Sequence, residues 1–294
     1  MTYSIVARDA RTGELGVAVQ SHWFSVGPIV PWARPGVGAL ATLANVEVSY
    51  GPRGLALLEQ GASPSQAIAR LTGADKVASS RQLAIVDAQG RTAAYTGEDC
   101  MAAAGHRSGE GVSCQANIMA SDTVWGAMFD AFSSSHGSLR ARLLGALDAA
   151  EAAGGDIRGR QSAAILIVPG RGEPWETIIS LRVEDDPEPL RELRRLCELH
   201  DAYALAGDGD ALAGEGRHEQ AAVLYRRAAA LAPENHELLF WAGLGAATLG
   251  DAEEGVTLVR RAVAAQPGWS ELLERLTVED APGVELVRAR LSEV

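Results

Sequence analysis

The sequence predicts an α+β sandwich followed by an all-α helical domain. Three observations lead to this prediction: short β-favouring runs are joined by glycine-containing turns, helical patterns come in pairs between these runs, and the last third of the chain repeats itself with a period of 34 residues. Antiparallel strand groups with segregated helices are typical of α+β folds, and internal repeats are typical of stacked helical hairpins. A length of 294 residues also suits two domains.

Residues 1–184 contain the predicted sandwich. Two hairpins are predicted over 3–21 and 82–96, because Gly13 and Gly90 supply residues that accept a positive φ at their turns. Further strands are predicted over 38–44, 111–119, 163–168 and 177–183. Helices are predicted in two pairs, 53–60 with 64–71 and 121–133 with 138–153. Several strands are apolar on both faces, so we expect the sheets inside and the helices outside, in four layers.

Residues 185–201 are predicted to link the two domains. Pro187 and Pro189 interrupt regular structure, and an amphipathic helix is then predicted over 190–199. Beyond the linker, identical residues recur 34 positions apart, in the pairs Gly209/Gly243, Gly216/Gly250, Ala228/Ala262 and Pro233/Pro267.

The recurring units, at about 202–269, resemble the tetratricopeptide repeat, with capping helices predicted from Ser270 and over 282–292. The chain departs from that pattern at Leu205, where tryptophan is common, and at Gly255, where alanine usually packs, so we expect weaker packing there. The resemblance implies a helical domain that binds a peptide or protein partner. Self-association into a homo-oligomer and a purely structural extension of the fold are the alternatives.

Charge and composition narrow the classes of partner. The net charge is −12, with 15 basic and 17 acidic residues up to Glu184 and 11 basic and 21 acidic residues beyond it. An acidic surface repels phosphate backbones, so we expect no nucleic acid partner. No window reaches the roughly 18 consecutive apolar residues of a membrane helix, and we expect a cytoplasmic protein with no membrane association.

The sequence predicts neither a metal site nor a cofactor. The three cysteines, Cys100, Cys114 and Cys197, lack CxxC spacing, which argues against a zinc ribbon and against a disulfide framework. Signatures of the common nucleotide-binding proteins, zinc proteases and serine hydrolases are also absent.

The start of the chain suggests a different chemistry. Thr2 follows Met1 and is small enough for methionine aminopeptidase to expose it. An N-terminal threonine carries its own general base, because its α-amine has a pKa near neutrality and lies beside its hydroxyl. This is the nucleophile of N-terminal nucleophile hydrolases, which cleave amide bonds.

Longer motifs strengthen this hypothesis. The segments are Thr2-Tyr3-Ser4-Ile5-Val6-Ala7-Arg8-Asp9, Gly16-Val17-Ala18-Val19-Gln20-Ser21-His22, Val30-Pro31-Trp32-Ala33, Ser49-Tyr50-Gly51-Pro52, Gln115-Ala116-Asn117 and Gly155-Asp156-Ile157-Arg158-Gly159-Arg160-Gln161-Ser162. Over roughly 1–184 the chain resembles the bacterial family called domain of unknown function 1028, which is regarded as similar to N-terminal nucleophile hydrolases. The resemblance implies an αββα sandwich, but it supplies no substrate.

The candidate site residues follow from the threonine mechanism. Thr2 is the predicted nucleophile, and Asn45, Asn117, Gln115 or backbone N–H groups near Gly36 and Gly38 are predicted donors to an oxyanion. Each asparagine has an alternative role in capping a turn at a strand end.

Other residues are predicted to bind the substrate. Ser21 and His22 follow the second strand and are expected at the same end of the sheet, although His22 is equally suited to a simple loop role. Asp156, Arg158, Arg160 and Gln161 form a predicted loop that clamps a substrate carboxylate; a surface network of aspartate and arginine is the alternative. Arg34, beside Trp32, offers a weaker anion site.

Two hypotheses of function remain from the sequence. The first is an amidohydrolase that cleaves a small amide or peptide-like substrate through Thr2. The second is a catalytically inactive ligand-binding or scaffold module whose repeats mediate protein interaction, with both domains serving an oligomer as a further structural alternative. The position of Thr2 favours the first, whereas Lys76, the single lysine, is predicted at a helix end and away from Thr2, which favours the second.

Overall fold

A computed structural model of the protein describes residues 2–292, and the chain divides into two compact units between Arg194 and Arg195. The first unit contains two antiparallel sheets and the second contains helices, so the chain is a mixed α+β protein with a helical C-terminal region. Among the described residues, no helix combines the length and apolarity needed to span a bilayer.

The larger sheet has six strands in the order β10-β9-β2-β1-β8-β7. Their bounds are β1 Thr2–Arg8, β2 Leu15–Ser21, β7 Gly105–Gly109, β8 Val112–Asn117, β9 Ser162–Val168 and β10 Ile179–Val183. The smaller sheet has four strands in the order β3-β4-β5-β6. These are β3 Pro31–Arg34, β4 Gly38–Ala44, β5 Arg81–Asp87 and β6 Thr92–Thr96, and a short 3-10 helix, Ala78–Ser80, precedes β5. All neighbouring strands are antiparallel.

Helices cover the outer face of each sheet. α1 Tyr50–Glu59 and α2 Pro64–Gly73 pack on the four-stranded sheet, whereas α3 Val124–Ser134 and α4 Leu139–Ala152 pack on the six-stranded sheet. The two sheets pack on each other through β1, β2, β4 and β5. The sequence of α2 shows why a helix begins there, because Ser63 and Gln66 form a capping box across the first turn and Pro64 is the first helical residue.

The central strand β1 is buried on both faces. Successive side chains of a strand point to opposite faces, so Val6 packs among apolar residues between the sheets, while the Tyr3 hydroxyl donates to Glu151 of α4 at 2.5 Å. Burial and the neighbouring Glu151 carboxylate raise the pKa of Tyr3, which keeps the phenol protonated as the donor. Thr2 and Ser4 share the Val6 face, so β1 presents polar residues between the sheets near its start.

The second unit consists of helices joined by short turns. α5 runs over Pro189–Gly214 and crosses the division, and it is followed by α6 His218–Leu231, α7 His236–Thr248, α8 Ala252–Ala265, α9 Gly268–Arg275 and α10 Val284–Ser292. Both ends of α8 lie 34 residues after those of α6, from 218 to 252 and from 231 to 265. The sequence period is therefore also the period of the helices.

The structure gives a reason for the unusual glycine at position 255. A Cβ atom there would lie 2.8 Å from the Gly243 carbonyl oxygen, and a Cβ atom on Gly243 would lie 2.8 Å from the Gly255 carbonyl oxygen. Gly255 is not a packing defect, because the pair of glycines lets the backbones of α7 and α8 approach each other closely.

The strands and helices predicted for the first unit are present, and the structure adds two edge strands. β3 is four residues long and begins with Pro31, and β7 is a polar segment between Gly105 and Gly109. β3 is too short to show an alternating pattern and β7 is polar and mostly exposed, so neither carries the apolar alternation that predicts a strand. The predicted helix over 190–199 is also longer in the structure, since α5 continues to Gly214.

A substitution at Gly97 tests the attachment of the loop that follows β6. A Cβ atom at Gly97 would lie 2.2 Å from the Ser79 carbonyl oxygen, a backbone atom that cannot turn away. We expect Gly97→Ala to lower the free energy of unfolding by about 1–3 kcal/mol, the usual cost of overpacking, as measured by urea denaturation. Gly126→Ala is the matched control, because a Cβ at Gly126 in α3 meets nothing within 4 Å. An equal effect of both substitutions would contradict the predicted contact.

Candidate functional site

A pocket of about 600 Å³ lies where β1 begins and where β4 and β8 end. The start of β1 lies beside the end of β8 because these two strands are antiparallel, and the end of β4, in the other sheet, lines the same pocket. All of the lining residues belong to the first unit; they are Thr2, Trp23, Val26, Ile29, Val30, Ala44, Asn45, Val46, Ser80, Asp99, Cys100, Met101, Asn117 and Ile118. The size falls in the range of about 300–1,000 Å³ that is usual for small-molecule sites.

Thr2 is held between two strands at the wall of this pocket. It pairs with Ser21 of β2 on one side and with Asn117 of β8 on the other. Its hydroxyl is 3.0 Å from the hydroxyl of Ser21, which is fully buried, and Thr2 itself is only 3% exposed. The Asn117 side-chain amide approaches the Thr2 carbonyl oxygen at 3.5 Å. The structure therefore brings together the predicted residues Thr2, Ser21 and Asn117.

The amide of Asn117 is oriented by Gln82 of β5. Gln82 Nε2 donates to the carbonyl oxygens of Gly105 at 3.2 Å and Ala116 at 2.9 Å. Because these oxygens can only accept, the Gln82 amide has one orientation, and its Oε1 must accept from Asn117 Nδ2 at 2.9 Å. Both N–H groups of Asn117 are thus directed to Gln82 and to the Thr2 carbonyl.

Asn45 lies on the opposite wall, just beyond the end of β4. Its Nδ2 donates to the Ser80 hydroxyl at 3.2 Å, and the Ser80 hydroxyl donates in turn to the Val77 carbonyl oxygen at 2.9 Å. An amide nitrogen carries two N–H groups, so Asn45 has a second donor beyond the bond to Ser80. The backbone carbonyl oxygen of Asn45 accepts a hydrogen bond from Arg81 Nη1 at 2.5 Å.

An ionic cluster beneath this wall fixes Arg81. The Arg81 Nε donates to Asp75 at 2.8 Å, its Nη2 is 3.6 Å from Glu47, and the Tyr50 hydroxyl donates to Asp75 at 2.8 Å. The backbone N–H of Val77, the Arg81 guanidinium and the Tyr50 hydroxyl lower the pKa of Asp75 to about 2. Burial and the bond to Asp75 raise the pKa of Tyr50. The wall that carries Asn45 therefore rests on a charged, hydrogen-bonded support.

Two residues of the pocket wall have a left-handed backbone. Ala44 has φ 63° and Ile118 has φ 54°, a region that residues with a Cβ rarely adopt and that is least favourable for a β-branched side chain. Such conformations cost of order 1–3 kcal/mol each and concentrate at functional sites. Here they end β4 and β8, and they turn Asn45 and Ile118 toward the pocket.

The predicted anion clamp is engaged by acids of the same unit. Arg158 donates to both carboxylate oxygens of Asp156, at 3.1 and 2.8 Å, and Arg160 pairs with Glu151 and with Glu188 at 2.8 Å. Neither arginine lines the pocket. Both arginines of the predicted clamp are thus paired with acidic side chains of the first unit, and the binding of a substrate carboxylate by them stays a prediction.

This loop nevertheless supports the strand that carries Ser21. Asp156 accepts from the His22 backbone N–H at 3.2 Å, and the His22 ring contacts the Arg160 carbonyl oxygen at 3.3 Å. The Gln161 backbone N–H donates to the Ser21 carbonyl oxygen at 3.1 Å, while its side chain donates to Asp185. His22, Asp156 and Gln161 lie beside the pocket, and none of them is among its lining residues.

The remaining predicted residues lie elsewhere in the first unit. Arg34 pairs with Glu59 at 2.7 Å and does not line the pocket. Gly36 and Gly38 stand at the β3–β4 turn, at the opposite end of β4 from Ala44. Gln115 donates from Nε2 to the Ser4 hydroxyl at 2.6 Å within the sheets. Lys76 is exposed in the loop after α2.

Sequence reasoning assigned no ligand-binding role to several residues that the pocket contains. Trp23, Ser80, Cys100 and Met101 all line it, and Cys100 was weighed only as a zinc ligand or a disulfide partner. Burial raises the pKa of the Cys100 thiol, which donates to the Arg81 carbonyl oxygen at 3.3 Å, so this thiol is a poor nucleophile. Within residues 2–292, no three metal-ligating side chains converge on one site.

Comparison with known proteins identifies the family. The model of a family of unknown function, DUF1028, matches residues 2–193. The chain belongs to this family. The match covers the first unit almost entirely and confirms the family resemblance of the motifs around Thr2, Ser21 and Asn117.

A crystal structure of a protein from Silicibacter pomeroyi, described by the same family model, is similar to this chain. The TM-score is 0.62 with 32% sequence identity, and the alignment covers 67% of this chain and 84% of that chain. A search of curated proteins gave no match.

The ion pair and hydrogen bonds of Asp75 with Arg81 and Tyr50 should make the free energy of unfolding depend on pH. A carboxylate whose pKa is lowered by folding stabilises the folded state above its ordinary pKa of 3.8, and this contribution is lost as the pH falls through about 2. We expect Asp75→Asn to lower the free energy of unfolding by up to about 2 kcal/mol at pH 7, and the difference from the wild type to shrink between about pH 4 and pH 2. Urea denaturation at a series of pH values measures it.

The exposed Asp122 provides the control for this experiment, because Asp122→Asn removes a carboxylate outside the cluster. If the difference in the free energy of unfolding between Asp75→Asn and the wild type stays constant from pH 7 to pH 2, the charge of Asp75 does not contribute to stability.

Proposed function

We propose that the first unit is an amidohydrolase of the N-terminal nucleophile type with Thr2 as its nucleophile. The observation that carries this proposal is the position of Thr2, at the first residue of the central strand and on the wall of a 600 Å³ pocket. The proposal includes the finer description of the fold as the αββα sandwich of these hydrolases, and the helix–sheet–sheet–helix packing supports it.

The reaction requires a mature chain that begins at Thr2. Met1 lies outside the described residues, and its removal by a cytoplasmic methionine aminopeptidase is part of the proposal. The freed α-amine then accepts the proton of the Thr2 hydroxyl as the oxygen attacks the amide carbonyl. The amine leaving group departs with a proton, and water hydrolyses the threonine ester to release the acid and restore the hydroxyl.

The hydrogen bonds suggest separate roles for the two asparagines. Asn117 has both of its N–H groups engaged, so we assign it as a positioning residue that holds the start of β1 through the Thr2 carbonyl. Asn45 keeps one N–H group beyond its bond to Ser80, and we assign it as the donor to the oxyanion. Ser21, in contact with the Thr2 hydroxyl, orients the nucleophile.

We propose that the second unit is a tetratricopeptide-like repeat that serves assembly or binds a protein or peptide partner. The equal spacing of α6 and α8 and the close contact of Gly243 with Gly255 support stacked helical hairpins.

A second function, ligand binding without catalysis, is favoured by one observation. Among residues 2–292, no lysine, arginine or histidine lines the pocket, so Thr2 has no cationic side chain beside it to assist proton transfer. In this alternative the same pocket holds a ligand and the α-amine plays no part.

Intact-mass spectrometry distinguishes the two functions. We expect the purified protein to lack one methionine residue and to gain a single adduct with an electrophile that acylates N-terminal threonine. Thr2→Ser should retain the adduct because it keeps a hydroxyl, whereas Thr2→Ala should lose the ester adduct and lower amide hydrolysis by at least about 100-fold.

Thr12→Ala is the matched control, since Thr12 is exposed in the β1–β2 turn. A mature chain that retains Met1, or an adduct that persists unchanged at its original site in Thr2→Ala, would exclude the nucleophile and leave the binding function.

A further inference from the structure

We propose that the pocket beside Thr2 accepts amides with an apolar acyl group and a positively charged amine part. This inference deepens the proposed function: that the bound amide is also cleaved rests on the proposed function. The preference in binding is argued from the pocket residues alone. It differs from the sequence-based prediction of a substrate carboxylate bound by Arg158 and Arg160, which concerns residues outside the pocket lining.

The acyl preference comes from the wall next to Thr2. Val26 and Val30 are fully buried and line the pocket between the sheets, and Ile29, Val46 and Ile118 continue the same apolar surface. A carbonyl attacked by the Thr2 hydroxyl therefore carries its acyl chain into a wall of branched aliphatic side chains. Burial of each methylene of that chain is worth about 0.8 kcal/mol, or about fourfold in affinity.

The rim extends this apolar surface into solvent. Trp23 is 58% exposed and Met101 is 65% exposed, and both line the pocket. Large apolar side chains of this kind remain accessible to a ligand, and a tryptophan ring covers an alkyl chain with little loss of its own freedom. Their substitution should weaken acyl binding without removing buried packing of the fold.

The charge preference comes from Asp99. Asp99 is exposed, it is the one charged side chain among the lining residues, and its carboxylate makes no hydrogen bond or ion pair with another residue in the described part of the chain. An ammonium group on the ligand would gain this partner, whereas a carboxylate would meet a like charge. The gain at an exposed site is modest, about three- to fivefold in affinity.

The arginines nearest the pocket do not provide a positive charge for an anionic ligand. Arg158 is engaged by Asp156 and Arg160 by Glu151 and Glu188, and both lie outside the pocket. Arg81 lies behind the wall, where Asp75 and Glu47 neutralise it. Asp99 is therefore the one charged side chain among the described lining residues, and it accompanies a largely aliphatic wall.

Three probes that differ only in the amine part test this proposal: N-hexanoyl-ethylenediamine is cationic, N-hexanoyl-ethanolamine is neutral and N-hexanoyl-glycine is anionic. Binding is measured by isothermal titration calorimetry with full-length Thr2→Ala, which prevents turnover, and with the wild type in parallel. We expect the cationic probe to bind about three- to fivefold more tightly than the neutral probe, and the anionic probe to bind most weakly. The acetyl analogue of the cationic probe should bind at least about tenfold more weakly than the hexanoyl form.

Paired substitutions separate the two preferences. Asp99→Asn should abolish the difference between the cationic and neutral probes, whereas Glu98→Gln, at the adjacent exposed acid outside the pocket lining, should preserve it. Trp23→Ala should weaken every hexanoyl probe at least about threefold, whereas Trp175→Ala, at an exposed tryptophan outside the lining, should have no effect.

The outcomes distinguish this inference from the hydrolase proposal. Tightest binding of the glycine amide, equal binding of acetyl and hexanoyl probes, or no binding of any probe would overturn the ligand class. Selective binding of the cationic hexanoyl probe without a Thr2 adduct would support the ligand class and exclude the hydrolase. A Thr2 adduct together with equal binding of all probes would support the hydrolase and overturn the ligand class.

Discussion

The antiparallel pairing of β1 with β2 and β8 is the constraint on which the site depends. Because side chains alternate along a strand, a shift of one residue would turn Thr2 toward the helices and Tyr3 toward the other sheet. A strand buried on both faces has little hydrophobic pattern to prevent that shift. Polar bonds specify the register instead: Ser4 to Gln115 on one face and Tyr3 to Glu151 on the other. Thr2 then has a single position, between Ser21 and Asn117.

Hydrogen bonds between the sheets extend this constraint to the pocket. Gln82 belongs to the four-stranded sheet, yet its amide binds Asn117 and the Ala116 carbonyl oxygen in the six-stranded sheet. A buried amide is stable only when its donors and acceptors are paired, so the two sheets are held at one relative position at this end. The pocket is lined by Asn117 together with aliphatic side chains. Because the lining comes from both sheets, both of them determine its shape.

Much of the fold was predictable because its strands and paired helices have clear periodicity and turn residues. The proximity of Asn45 and Asn117 to Thr2 at one pocket was predictable, since each lies at the end of a predicted strand. The engagement of Arg160 was not predictable, because Glu188 lies 28 residues away along the chain and only the fold brings the two together. The role of Gln82 was not predictable from the sequence either. A glutamine near the start of an apolar strand looks like a surface residue until its hydrogen-bond partners are known.

The left-handed residues at the ends of β4 and β8 have a consequence for how this pocket can change. Ile118 occupies a backbone conformation that glycine adopts without cost, so glycine at this position would relieve strain, although it would also remove an aliphatic side chain from the pocket wall. Relief of backbone strain and loss of a packed aliphatic side chain therefore act in opposite directions on stability at one residue. A smaller residue here would also enlarge the cavity, so this strained position sets part of the shape that a ligand meets.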